Sequence, residues 1–290
     1  MSIWLPPVAA FVISFFTSMG GISGAFLLLP LQMSVFGFTS PAVSATNLVF
    51  NLVATPGGIY RYAREKRVIW PLALLVVAGT TPGVVVGGFV RLSYLPDARR
   101  FKVFAGLVLL WLGVRLAQDI WRSRNKTESP VETGEWNART TEFTWRRLTL
   151  EFHQQLYSCK PIGVFILSLV VGLIGGIYGI GGAAIISPFL VAVYGLPVYT
   201  VAGATLLGTF VTSVAGVSFY QLVAPVYQAS GLAVAPDWRL GLSFGVGGLV
   251  GTYLGARAQR YVPAAYLKSL LALVMFGISI SYVAGYFVKL

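Results

Sequence analysis

Long apolar runs dominate this sequence, and they limit the folds that are open to it. Several runs approach or exceed the ~20 residues that a helix needs to cross the hydrocarbon of a bilayer. Charged residues make up only 10% of the 290 positions, whereas a soluble domain carries about 25%. The runs are continuous and lack the short alternating segments of a membrane β-barrel. The sequence therefore predicts an all-α polytopic membrane protein.

The runs give about eight membrane segments in two halves, and one run in each half is interrupted. The first-half segments are 4–19 with a continuation at 25–36, then 41–59, 68–90 and 101–118. The second-half segments are 161–178 with a continuation at 183–195, then 198–223, 238–256 and 264–288. We divide the chain into a first membrane repeat (1–118), a hydrophilic linker (119–160) and a second membrane repeat (161–290). Within the linker, 143–156 is predicted to form a short amphipathic helix on the membrane surface.

The formal net charge is +12, and the basic residues cluster between the apolar runs. The positive-inside rule predicts this distribution for a multi-pass membrane protein. We therefore expect the lipid bilayer as a partner and no nucleic acid. Cys159 is the single cysteine, which excludes an intrachain disulfide and a multi-cysteine metal site. We expect no metal ion and no cofactor.

Glycines interrupt the first run of each half. Five of the eight residues at 175–182 are glycine, and each glycine in a helix costs roughly 1 kcal/mol relative to alanine. Residues 20–25 repeat the pattern, and a proline follows at Pro30 and at Pro188. In hydrocarbon, backbone groups freed by a break are tolerated only where protein or a water-filled cavity satisfies them. Each break is therefore predicted to be a Gly-rich broken or re-entrant helix that forms part of a central binding site.

The two halves align with each other, which indicates an internal repeat. With a shift of 158 residues, 21–58 aligns without a gap on 179–216, and 11 of 38 positions are identical. A shift of 168 pairs Trp70 with Trp238, Gly79 with Gly247, Gly83 with Gly251 and Gly87 with Gly255. Duplication of a four-segment unit, giving two homologous halves, explains both shifts.

The glycine breaks, the Ala-Val-Ser-Ala-Thr-Asn stretch at 42–47 and the Val-Ala-Gly-Ala-Thr stretch at 201–205 make the chain resemble the sulfite exporter TauE/SafE family of membrane permeases. The resemblance covers essentially the whole chain. It implies a multi-pass transporter of small, often sulfur-containing or organic anions, and we expect it in a prokaryotic plasma membrane. The first half departs from the fuller glycine pattern, because Ser23 and Ala25 stand where a glycine-rich core is expected.

Carboxylates are missing from the predicted membrane interior. Outside the linker the acidic residues are Glu65, Asp97 and Asp237, and all three lie at segment ends. Proton- and cation-coupled pumps usually carry Asp, Glu or His within the membrane. This distribution favours an anionic or neutral substrate, although backbone carbonyls and hydroxyls can also form a sodium site. A coupling ion, proton or sodium, is left open, and so is a homo-oligomer.

The two breaks supply the predicted substrate site. Helices that start at Gly24 and Gly182 would direct free N–H groups into the breaks, and a helix N-terminus carries about +0.5 charge. Polar residues of the following segments would complete the site, with the asparagines of one half aligned on threonines of the other. The predicted substrate-binding residues are Gly21, Ser23, Gly24, Asn47, Asn51, Gly179, Gly181, Gly182, Thr205 and Thr209. Close helix packing by the glycines and interhelical hydrogen bonding by the polar residues are the alternatives.

Secondary transport of a small anion, such as sulfite, a sulfonate or a related organic anion, is the predicted function. An anion channel and a membrane-embedded enzyme are the alternatives. We expect no catalytic residue, because the Gly-x-Ser-Gly of 21–24 has no histidine base among the membrane segments. Arg91 and Arg115 lie near segment ends and are expected to extend toward lipid headgroups, and guiding an anion into a vestibule is the alternative.

The orientation of the halves stays open at this point. The basic segment 61–67 favours the cytoplasmic side, whereas its counterpart 224–236 has no Lys or Arg. That asymmetry favours halves of opposite orientation with re-entrant breaks. Segments 91–102 and 257–268 are both basic and favour neither arrangement.

Overall fold

Most of the chain is helical in the computed structural model, which describes residues 3–19, 22–124, 139–152, 155–229, 231–262 and 264–287. The α-helices of this part are α1 (Leu5–Met19), α2 (Ala25–Ser34), α3 (Ala42–Arg64), α4 (Trp70–Tyr94), α5 (Ala98–Arg124), α6 (Pro161–Tyr178), α7 (Ser187–Tyr194), α8 (Val198–Gln228), α9 (Trp238–Ala258) and α10 (Ala264–Phe287). Four of these described helices are long and apolar enough to cross a membrane, namely α4, Ala98–Gln118 of α5, α6, and Thr200–Gln228 of α8. The predicted polytopic, mostly helical architecture is confirmed at this level.

The linker does not form the predicted amphipathic helix at 143–156, so the fold is not purely helical. Its described part is a three-stranded antiparallel sheet of β1 (Arg139–Phe143), β2 (Leu148–Phe152) and β3 (Gln155–Cys159), with β2 in the centre. Leu148, Leu150 and Phe152 are buried, while the residues between them are more exposed. This period of two is the pattern of a half-buried strand, which explains why the helix prediction was wrong. Residues 125–138 lie outside the described part.

α1 and α2 form a helical hairpin. The chain turns back after Met19, and α2 begins at Ala25 with Gly24 as its N-cap residue. A methyl group on Gly24 would lie 2.9 Å from Ser14 Oγ, so the returning chain lies directly against α1. Since this contact leaves no room for a side chain, the glycine is required by the close approach of the two arms.

α6 and α7 form a second hairpin. α6 ends at Tyr178, Gly179 and Gly181 have φ angles of 82° and 76°, and a 3₁₀ turn at Gly182–Ile185 precedes α7. These φ angles lie in the left-handed region that glycine adopts without a steric penalty. A methyl group on Gly182 would lie 2.8 Å from the Cα of Gly172 on α6. The predicted breaks are thus reversals of the chain.

The first helix of each half packs against a long helix of the other half: α1 packs against α9, and α6 packs against α4. In both contacts, three glycines spaced by four residues face backbone carbonyls of the partner helix, an approach that only small residues permit. The pairs are Gly79 with Phe165, Gly83 with Leu169, Gly87 with Leu173, Gly247 with Pro7, Gly251 with Phe11, and Gly255 with Phe15. Because residue numbers rise together in each contact, α4 runs parallel to α6 and α9 runs parallel to α1.

Further contacts fix the directions of the central helices. α3 runs parallel to α9, α8 runs parallel to α4, and α3 and α8 are antiparallel. The contacts are Gly241 with Val49, Gly57 with Leu249, Gly208 with Val76, Gly88 with Phe219, Gly216 with Leu48, and Gly58 with Leu206. Consequently α1, α3 and α9 run in one direction, and α4, α6 and α8 run in the other. The two hairpins therefore approach the centre from opposite ends of the bundle.

Candidate functional site

The tips of the two hairpins meet at Asn47 on α3. The Asn47 Nδ2 group donates to the carbonyl of Ala25 at 2.9 Å and to the carbonyl of Gly179 at 3.0 Å. Its Oδ1 atom accepts from Gln32 Nε2 at 3.1 Å. One side chain thus bonds to the start of α2 and to the turn after α6. Asn47 is part of the junction between the two breaks.

Asn51, one turn further along α3, repeats this bridging. Its Nδ2 group donates to the carbonyl of Ile180 at 2.8 Å, and its Oδ1 atom accepts from the hydroxyl of Ser23. The Ser23 Oγ atom in turn accepts from the N–H of Ala25 at 3.2 Å, which caps the first turn of α2. The predicted residues Ser23, Asn47, Asn51 and Gly179 therefore lie in one connected hydrogen-bond network.

Other polar side chains surround the second tip. Ser44 donates to the carbonyl of Tyr178 at 3.3 Å and occupies the space that a side chain at Gly179 would need. A methyl group on Gly181 would lie 3.0 Å from Ser213 Oγ and 3.2 Å from the methyl of Thr209. The second tip is therefore enclosed by α3 on one side and by α8 on the other.

The two halves contribute unequally. Thr205 and Thr209 align with Asn47 and Asn51, yet their hydroxyls donate to carbonyls of their own helix, at Ala202 and at Thr205. A threonine hydroxyl is too short to span the distance that an asparagine amide covers, and back-bonding to the preceding turn satisfies it. Asn47 and Asn51 of α3 thus form hydrogen bonds that reach both tips.

The electrostatic character of the tips comes from backbone dipoles. α2 begins beside the first tip, as the sequence predicts, whereas a 3₁₀ turn and not the predicted helix begins at Gly182 beside the second tip, and α7 starts only at Ser187. The non-linker carboxylates lie elsewhere. Glu65 pairs with arginines at the end of α3, Asp97 precedes α5, and Asp237 caps α9. Outside the linker, the carboxylates of the described chain thus have their contacts away from the tips.

The described site residues are buried and in contact in this conformation. Ser23, Asn47, Asn51, Thr205 and Thr209 are each at most 1% exposed. The central site is therefore closed to solvent on both sides of the tips. Gly21 lies outside the described residues.

The close contacts of Gly182 and the bonds of the asparagines are also the contacts that the packing and hydrogen-bonding alternatives predict. Which of the site residues touch a substrate thus stays a prediction.

Tyr178 is a site residue that sequence reasoning missed. It is fully buried, and its hydroxyl donates to the carbonyl of Phe26 at 2.9 Å. This bond joins the end of α6 to α2, across the junction of the tips. Its position immediately before Gly179 in an otherwise glycine- and isoleucine-rich stretch was the available signal.

The expectation that Arg91 extends toward headgroups is wrong. Its side chain is fully buried, and the guanidinium lies 3.8 Å from the centre of the Phe101 ring. α4 and α5 are joined by a short turn, so the start of α5 covers the arginine. Arg115 is half-buried beside Trp111.

Comparison with known proteins gives one family and one relative. A family model described as sulfite exporter TauE/SafE matches residues 7–282. The "Probable membrane transporter protein YunE" of Bacillus subtilis (strain 168) is 22% identical over 188 residues, which cover 62% of this chain and 64% of the relative. The match thus spans less than two thirds of the relative's length. No solved structure matches the chain.

Proposed function

Because the chain belongs to the sulfite exporter TauE/SafE family, we propose that it is a secondary transporter of small anions in a prokaryotic plasma membrane. Membership makes it a membrane transporter and not an enzyme. The substrates proposed are sulfite, sulfonates and related organosulfur or organic anions. The binding site proposed is the junction of the two hairpin tips.

One observation carries this proposal: the tips of two glycine-rich hairpins meet at Asn47 and Asn51. Broken helices that meet near the middle of the membrane are where many transporters bind substrate. The asparagine bonds to both tips hold the closed conformation. Their rupture would let either tip move away, which gives alternating access to a site between the tips. The amide donors and helix N-termini released there are groups that bind oxyanions.

The same contacts support an architecture of about eight membrane segments in two homologous, oppositely oriented halves. The antiparallel arrangement of α3 and α8 and the matched glycine contacts favour this arrangement over parallel halves. The described residues of the segments 61–67, 119–160 and 257–268 lie at one end of the bundle, and the full segments hold 14 of the 21 Lys and Arg residues of the sequence. The positive-inside rule places that end, including the linker, in the cytoplasm.

Uptake into proteoliposomes tests the substrate class. Purified protein is reconstituted and offered labelled sulfite, methanesulfonate, taurine and acetate, with sodium and proton gradients imposed separately. We expect saturable uptake of one or more sulfur oxyanions, driven by one of the two gradients. Empty liposomes and liposomes with an unrelated permease are the controls.

Two results would contradict the proposal. Uptake of a cation or a neutral solute with no response to any anion would refute the anionic substrate class. Non-saturating flux accompanied by single-channel currents would favour the anion channel over the carrier.

A further inference from the structure

Arg91 is a buried charge that forms no ion pair with the residues that the structure describes. It is fully buried, and its Nε, Nη1 and Nη2 atoms have no hydrogen-bond partner among the described residues. Its close contact is the face of Phe101. A guanidinium removed from water costs free energy unless it is paired and hydrogen-bonded. Five unused N–H donors in a planar fork suit a bidentate oxyanion.

Tyr220 on α8 is the second polar group of this cluster. It is 1% exposed, and its hydroxyl lies close to the hydroxyl of Ser44. Tyr220 and Asp97 interact electrostatically with Arg91. Asp97 is exposed, uses its carboxylate to cap α5, and forms no ion pair with Arg91 in the described residues. Within the described residues, the N–H groups of the Arg91 guanidinium thus have no acceptor.

The cluster lies beside the second hairpin tip. Arg91 follows Gly87 by one turn of α4, and Gly87 packs on Ile177 near the end of α6. The Phe101 ring that faces Arg91 lies 6.2 Å from the ring of Tyr178. On the opposite side Tyr220 lies near Ser44, which contacts Gly179. An anion held by Arg91 would therefore be adjacent to the tip.

The corresponding positions of the other half include a side-chain oxygen that accepts from an arginine. The shift of 168 pairs Arg91 with Gln259, and the shift of 158 pairs Tyr220 with Tyr62. Tyr62 donates to Gln259 Oε1 at 3.1 Å, and Arg67 donates to the same oxygen at 2.7 Å. That cluster supplies its own acceptor. The Arg91 cluster has the corresponding placement, and none of the described residues accepts a hydrogen bond from its guanidinium.

We propose that Arg91 and Tyr220 form a binding site for a small dissolved oxyanion at the second hairpin tip. This inference rests on the proposed function and assigns the substrate's charged group to these two residues. The guanidinium donates to two oxygens of a sulfite, sulfonate or carboxylate, and the tyrosine hydroxyl donates to the same group. Because the cluster is covered by α5 and α8, a lipid headgroup is not the expected ligand.

Anion binding to purified full-length protein in lipid-free detergent tests the proposal. Thermal unfolding is followed during titration with sodium sulfite and with sodium methanesulfonate at constant ionic strength. In the absence of anion, we expect the thermal unfolding midpoint of Arg91→Met to be higher than that of the parent protein, because an unpaired buried charge is removed. We also expect its apparent affinity to fall about 30-fold or more, as for loss of a buried charged contact. Arg91→Lys keeps the charge, and its apparent anion affinity should lie between that of the parent and that of Arg91→Met. Arg115→Met, which removes a half-buried arginine beside an aromatic ring, should bind like the parent.

Each other outcome is decisive. Parent-like anion affinity of Arg91→Met would overturn the proposal and leave the proposed function standing, provided that both proteins take up sulfite. A strongly destabilised or unfolded Arg91→Met that Arg91→Lys restores would show that the arginine is structural, which also overturns it. A response only after anionic phospholipid is added back would identify a lipid site. A parent protein that neither binds nor transports any of these anions would refute the proposed function itself.

Discussion

Replacing Asn47 should separate the two hairpin tips. Asn47→Ala removes its bonds to Ala25, Gly179 and Gln32. At roughly 0.6 kcal/mol for each polar contact within a membrane, the loss is about 2 kcal/mol. Two buried carbonyls that lose a donor raise this figure to about 4 kcal/mol. We therefore expect the closed conformation to be disfavoured at least about 30-fold relative to conformations in which the tips are apart.

Asn47→Asp should be more harmful than Asn47→Ala, although it changes the size of the side chain little. It replaces a donating NH₂ group by an oxygen that faces the carbonyls of Ala25 and Gly179. When ionised, it also adds a negative charge where we place the substrate, and repulsion grows as the dielectric constant falls. Anion uptake should be lost far more completely than in Asn47→Ala.

The assay combines thermal unfolding in detergent with sulfite uptake into proteoliposomes. A loss of about 2–4 kcal/mol should lower the unfolding midpoint of Asn47→Ala by roughly 4–16 °C. Thr55→Val is the matched control, because this hydroxyl donates to the carbonyl of Asn51 in the same helix. If both Asn47 variants keep the parent's midpoint and uptake, or if Asp improves uptake, the tips are not joined at Asn47 and the central site is wrongly placed.

Three further predictions concern packing, the linker and the thiol. Gly251→Ala should destabilise the protein by about 1–3 kcal/mol, because the added methyl overpacks against α1. Gly277→Ala is the control and should not destabilise it, because no other part of the described chain lies within 4 Å of the added methyl. Equal unfolding midpoints of the two variants would refute the tight contact between α9 and α1. Deleting 126–140 should leave uptake within a few-fold of the parent, since this stretch is polar and charged and contains Pro130 and Gly134; complete loss with normal expression would make the linker a gating element. Burial raises the pKa of the Cys159 thiol to about 11, so maleimide labelling of the folded protein should be slow at pH 7.5 and rise about tenfold per pH unit up to pH 10, because only the thiolate reacts; a plateau near pH 9 would contradict the raised pKa.

The helices could be read from the sequence because each is a long apolar run, and their bounds differ from the predictions by a few residues in most cases. The matched glycines at 79–87 and 247–255 were found by alignment, but their partners were not. Those partners lie in the other half, and no local pattern in the chain reports a contact across more than 80 residues. Only the fold showed that these glycines face α6 and α1.

The failures have local causes. The linker strand at Leu148 was missed because an aromatic, amphipathic stretch of 14 residues fits a surface helix as well as a hairpin. Arg91 was assigned to the headgroups because it lies near the end of its segment, and its burial depends on where α5 returns. The sequence alone does not predict the bridging by Asn47, because a polar stripe on a membrane helix is compatible both with lining a substrate path and with interhelical hydrogen bonds.

Cysteine accessibility tests the central claim, that two hairpins enter from opposite faces and meet at the site. Ala63 and Ala229 are exposed at the ends of α3 and α8, and each is replaced by cysteine in a Cys159→Ser background. A membrane-impermeant maleimide is then applied to intact cells and to inside-out vesicles. Opposed halves predict labelling of Ala229→Cys in intact cells and of Ala63→Cys only in inside-out vesicles. Labelling of both from the same side would mean parallel halves and would contradict a site formed by two opposed hairpin tips.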